Sequence, residues 1–116
     1  MAHPADQHFF ARLAALNEKF ADGLPATLDR LAGLAAELDK EAPAPAAAEL
    51  QAVLHTIAGS AATFGFRGLG QQARTLEQRL RVLTTFDAVA AADWDGWLGE
   101  LACFVREARR DPKALG

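Results

Sequence analysis

Apolar residues recur along this chain at steps of three and four. The first run reads Phe9, Leu13, Leu16, Phe20, Leu24, Leu28, Leu31, Leu34, Ala35 and Leu38. That spacing keeps one face of a helix apolar. The alternative, a sheet, lacks its usual residues. Ile57 is the only isoleucine, Val occurs only at 53, 82, 89 and 105, and Tyr is absent, whereas strands favour β-branched and aromatic side chains. Ala and Leu dominate the apolar half, and these residues head the helix scale. The chain is expected to be all-α.

Breaks divide it into four helical segments. The first spans about residues 4–39, with Pro4 suited to an opening turn. Gly23 and Pro25 interrupt it, because Pro25 has no amide hydrogen and crowds the carbonyl of Ala21. The apolar phase continues past Pro25, so the N-terminal helix is expected to be kinked or broken along one line. Pro43 and Pro45 lie in the connection DKEAPAP. A second helix is predicted over about 46–64, with Leu50, Leu54, Ile57, Ala61 and Phe64 inward and Gly65 as its C-terminal cap. A third fits 67–84, with Leu69, Ala73, Leu76, Leu80 and Leu83 inward. The last fits about 88–110, with Asp87 as N-cap and Trp94, Trp97, Leu101, Phe104, Val105 and Ala108 apolar. The tail beyond Pro112 is expected to fray. Short connections make sequential helices antiparallel neighbours. The expected fold is a single domain over residues 1–116, an antiparallel up-down-up-down four-helix bundle.

Several function classes recede on composition. A chain of 116 residues needs no metal or disulfide staple, and its one cysteine, Cys103, cannot form an internal disulfide. Cys103 lies between Leu101 and Phe104, as a small buried hydrophobe would. The net charge of −3 argues against a nucleic-acid partner. No apolar run approaches the roughly 20 residues of a membrane span, and MAHPADQHFF lacks the shape of a signal peptide. A cytoplasmic location is expected. The Met1 start fits a free-standing small protein, and a module cut from a hybrid kinase stays open beside it. His3, His8 and His55 have no metal-ligand spacing. The glycines at 65, 68 and 70 follow a helix rather than a strand, so they mark a junction and not a phosphate loop. No nucleotide site is evident, so the chain is not expected to be an enzyme.

His55 is the residue that the packing pattern does not absorb. It stands one position past the core residue Leu54, at the edge of the inward stripe. Gln51, Ala52, Ala58, Gly59 and Ala62 share its face. Gly59 lies mid-helix, where Gly costs about 1 kcal/mol against Ala. Two explanations compete: the small residues admit another helix of the bundle, or they keep a surface low so that a partner can reach the imidazole. A neutral imidazole has a lone pair near physiological pH, and phosphoryl transfer mainly needs positioning and charge stabilisation.

The stretch LHTIAGSAATFGFRGLGQQARTLEQRL, residues 54–80, resembles the histidine-containing phosphotransfer (HPt) domain family of bacterial phosphorelays. His55, Gly59 and Gly65 match the family's His, the Gly four on and the Gly ten on. FADGLPATLDRLAGLAAEL upstream is similar to the family's first long helix, and the likeness covers about residues 9–85. The resemblance implies a phosphocarrier. His55 would accept a phosphoryl group from a receiver-domain aspartate and pass it to another receiver. Response regulators and a hybrid histidine kinase would be the partners, with no cofactor on this chain and Mg²⁺ on the receiver. A monomer is expected. The docking face would comprise Gln51, Ala52, Ala58, Gly59 and Ala62, rimmed by Arg67, Arg74 and Arg81.

Ala58 departs from the pattern, because the family has a basic residue there that would help hold the phosphoryl oxygens. Arg74 and Arg81, seven apart on one face of the next helix, could replace it. The plainer reading of these arginines is a solvated face paired with Glu77, and it is the favoured one for Arg74. Two further readings stay open: a binding-only scaffold that docks a response regulator without carrying phosphate, and a bundle that dimerises through its small-residue face.

Overall fold

The computed structural model describes residues 4–86 and 88–115. Asp87, the expected N-cap, lies outside them, as do His3 and Gly116. Among the described residues there are four helices: α1 (Pro4–Glu37), α2 (Ala44–Ala61), α3 (Arg67–Thr85) and α4 (Ala91–Arg110). Among the described residues there is no strand.

The helices pack in a ring, α1 on α2, α2 on α3, α3 on α4 and α4 on α1. Each contributes one buried stripe: Leu24, Leu28, Leu31 and Leu34 from α1, Leu50, Leu54 and Ile57 from α2, Leu69, Ala73, Leu76 and Leu80 from α3, and Trp94, Trp97, Leu101, Phe104 and Val105 from α4. Burying one such large side chain contributes about 1.5–3 kcal/mol, so this shared core holds the helices together. Exposed ion pairs such as Arg109–Asp29 at 2.8 Å add at most about 1 kcal/mol each. One buried polar contact fixes α4 on α3: the Trp97 indole N–H donates to the Leu76 carbonyl at 3.0 Å.

Four expectations need correction. First, of the two alternatives for α1, kinked or broken, the break does not occur: α1 runs as one helix through Pro25. Leu24, Leu28 and Leu31 anchor the turns around an exposed Pro25, so core burial outweighs one lost backbone bond. Second, the apolar run of α1 does not face the core throughout, since Phe9 and Leu16 are exposed. A helix of 34 residues is about 51 Å long at 1.5 Å per residue, whereas its partners have 18 to 20 residues. The N-terminal part of α1 therefore overhangs, and the molecule measures 60 × 25 × 23 Å.

Third, Cys103 is exposed. The buried stripe of α4 passes through Leu101, Phe104 and Val105 and leaves position 103 outside it. Fourth, the tail does not fray as far as it is described. Leu115 is buried in the core, and the Lys113 ammonium lies 5.4 Å from the centre of the Phe66 ring.

Helix ends differ modestly from the sequence expectation. α2 starts earlier than predicted and stops at Ala61. The amide of Phe66 bonds the Ala61 carbonyl at 2.8 Å and the amide of Gly65 bonds the Ala62 carbonyl at 3.3 Å. This pair of bonds is a Schellman cap, and it needs a left-handed residue at Gly65, which has φ +88°. Gly65 is thus the C-terminal cap that the sequence predicts. Phe20 of α1 packs on this turn, with ring centres 5.5 Å from Phe64 and 5.2 Å from Phe66. α4 begins at Ala91 rather than 88, and Val89 packs against the core from the connection.

Candidate functional site

After the Schellman turn α3 packs on α2, and one close approach sets their spacing. A Cβ on Gly70 would lie 3.3 Å from the Ala61 Cβ, 3.4 Å from the Ala62 nitrogen and 3.5 Å from the Ala58 carbonyl oxygen. Gly70 and the alanines of α2 therefore let the two backbones nearly touch. Of the small residues that the plainer reading assigns to packing, only Ala58 is buried, while Ala52, Gly59 and Ala62 are exposed. The glycine that admits the neighbour is Gly70 and not Gly59, because a Cβ on Gly59 would meet nothing within 4 Å.

Two turns of α3 beyond Gly70, this proximity brings Glu77 under His55. The His55 ring is largely exposed, with 71% of its side chain accessible, whereas only 7% of the Glu77 side chain is. The His55 Nδ1 lies 3.1 Å from both Glu77 Oε1 and Oε2. Arg81, one turn further along α3, donates from Nη2 to Glu77 Oε1 at 2.8 Å. A carboxylate offers only acceptors, so the proton in the contact with His55 is assigned to Nδ1. In a neutral ring held this way, the lone pair sits on Nε2. This arrangement fixes both the tautomer and the tilt of an exposed ring, as a carboxylate does behind a catalytic histidine. Arg81 in turn gives the buried carboxylate a charged partner, without which its burial would be costly.

A cleft of about 240 Å³ joins His55, Ala58 and Gly59 of α2 to Arg74, Glu77, Gln78 and Arg81 of α3. Of the residues expected at the site, Gly59, Arg74 and Arg81 are exposed at its edge. Ala58 is only 8% exposed. It forms floor rather than docking surface, because its position faces α3. Ala52 and Ala62 are exposed, with Ala62 in the turn after α2, and Gln51 is half-buried. None of these three lines the cleft, and neither does Arg67 at the start of α3. Gln51 instead borders a separate cavity of about 700 Å³ beside Leu83, Phe86 and Trp94. The expected ion pair of Arg74 with Glu77 does not form, and Arg81 takes that carboxylate.

Sequence reasoning overlooked Glu77 as a site residue. The signal was present, because Ala73, Glu77 and Leu80 share the inward phase of α3 and all three are buried. A carboxylate at an apolar phase needs a partner, and here His55 and Arg81 supply it. Among the described residues, no group of three or more His, Cys, Asp or Glu side chains is placed to hold a metal ion. No helix among them is long and apolar enough to cross a membrane.

Residues 15–103 match the family model of the Hpt domain. The chain belongs to the Hpt domain family. Hpt domains are phosphocarrier modules of phosphorelays, in which they interact with receiver domains and histidine kinases. They are not nucleotide-binding enzymes. Membership implies histidine phosphotransfer, in agreement with the resemblance carried by residues 54–80. No curated protein and no solved structure matches the chain. The match starts at residue 15, so the first part of the overhanging α1 falls outside the family unit.

Proposed function

We propose that His55 is the phosphoacceptor of a phosphorelay carrier. It takes a phosphoryl group from a receiver-domain aspartate of one response regulator and returns it to the aspartate of another. The observation that carries this reading is the grip of a buried Glu77 on the Nδ1 of an exposed His55. The unit is a single four-helix module, and the pairings of Gly70 with Ala61 and of Glu77 with His55 support antiparallel α2 and α3.

The transfer step balances on these groups. The Nε2 lone pair attacks phosphorus of the acyl phosphate, the P–O bond to the aspartyl carboxyl breaks, and the carboxylate leaves with the bonding electrons. The ring keeps its Nδ1 proton and becomes a phosphoimidazolium. Its new positive charge faces the Glu77 carboxylate, so Glu77 stabilises the product as well as orienting the reactant. No base has to remove a proton. Mg²⁺ and the groups that polarise the acyl phosphate belong to the receiver. Docking uses the low surface around Gly59, Ala52 and Ala62. The module acts as a cytoplasmic monomer, since its receivers are cytoplasmic.

Ala58 favours a second reading, a scaffold that binds a response regulator without carrying phosphate, because α2 offers no cation beside His55. Incubation with a phosphorylated receiver separates the two. The carrier acquires acid-labile phosphate, and His55→Gln abolishes the label. Stable binding with no label on the wild-type protein refutes the carrier and leaves the scaffold.

A further inference from the structure

We infer that Arg74, reaching across from α3, is the residue that holds the phosphoryl oxygens on His55. This rests on the carrier reading and names a residue for it. A phosphoryl group on Nε2 brings up to two negative charges to α2, which carries no Lys or Arg. The countercharge has to come from the other wall of the cleft, where two cations stand.

They are not equivalent. Arg81 is engaged with Glu77 at 2.8 Å, and withdrawing it would leave a buried carboxylate without its cation. Arg74 lies on the opposite side of Glu77, one turn towards the start of α3. It is exposed, lines the same cleft as His55, and makes no ion pair among the described residues. Residues three and four apart share a helix face, so Arg74, Glu77 and Arg81 form one row with the carboxylate in the middle. The cleft, at about 240 Å³, exceeds several waters at roughly 30 Å³ each, which is room for a phosphoryl group. A guanidinium presents a planar fork that grips two phosphoryl oxygens at once. The row thus divides the labour: Arg81 serves the carboxylate and Arg74 serves the phosphoryl group.

The test labels the full chain with phosphoramidate, a small donor that needs no docking and releases ammonia. Phosphorus NMR then follows the titration of the phosphoryl group, with His55→Gln identifying the His55 signal. A cation in contact with the group favours its dianion. Arg74→Ala therefore moves the titration midpoint upward by about half a pH unit, the size of one charge contact near a wet surface. Arg74→Lys stays closer to wild type, and Arg81→Ala moves it less than Arg74→Ala does. An unchanged midpoint in Arg74→Ala, or an equal or larger shift in Arg81→Ala, overturns the assignment while leaving the carrier intact. Absence of a His55 signal in the wild-type protein sinks the carrier reading, and the assignment with it.

Discussion

The two faces of α2 are built largely from the same small residues and do opposite things. Ala58 and Ala61 lie against α3, where Gly70 allows contact close enough that a single added carbon would press on the Ala61 Cβ at 3.3 Å. Around the helix, Ala52, Gly59 and Ala62 are exposed, and an added carbon on Gly59 meets nothing. Small side chains close a gap on one face and leave a surface low on the other. Composition cannot separate these uses, because both read as alanine and glycine at helical spacing. What separates them is the phase relative to the Leu50–Leu54–Ile57 stripe, and whether a neighbouring helix occupies that phase.

The contrast can be broken by experiment. The largest effect is expected where the faces meet, at Glu77. Glu77→Gln removes the charge that faces the phosphoimidazolium and frees the tautomer, so transfer from a phosphorylated receiver should fall by roughly 10²-fold or more. An unchanged single-turnover rate would mean that Glu77 is only a packing residue. On the closed face, Gly70→Leu overpacks the α2–α3 contact at about 1–3 kcal/mol. In a domain of this size that lowers Tm by roughly 5–15 °C, and a melting curve checks it.

On the open face, Gly59→Leu should leave Tm unchanged or raised while transfer from the receiver drops at least about tenfold, the equivalent of roughly 1.4 kcal/mol of lost docking. Labelling by phosphoramidate should be unaffected by that variant. Normal transfer in Gly59→Leu would remove the docking face from the proposal. The smallest effect is Gly59→Ala, which should stabilise the protein by up to about 1 kcal/mol through helix propensity alone, read as a shift in the denaturant midpoint.

Helix number and inward faces were legible because burial at spacings of three and four leaves a mark on every turn. The last helix shows this best: Trp94, Trp97, Leu101, Phe104, Val105 and Ala108 all point inward as expected. The failures share one cause, which is that periodicity names a face but not what covers it. Phe9, Leu16 and Leu24 lie on one continuous apolar run, yet Leu24 is buried and the first two are exposed, because α1 outlasts its partners. The apolar neighbours of Cys103 in sequence do not bury it, because a step of one residue turns a side chain about 100° around the axis. At the candidate site, His55 stands out in the sequence by its odd surroundings. Glu77 escaped because its partner is 22 residues away and on another helix.

The shared carboxylate also has a kinetic meaning. An exposed imidazole left to itself changes rotamer in picoseconds to nanoseconds, so successive encounters would meet different nitrogens at different angles. With the Glu77 oxygens both 3.1 Å from Nδ1, the ring is held from beneath, and on the proposed reading each arriving receiver meets the same atom in the same direction. On that reading Glu77 sets the fraction of collisions that are productive. A carrier that must serve two different receivers can then present one geometry to both.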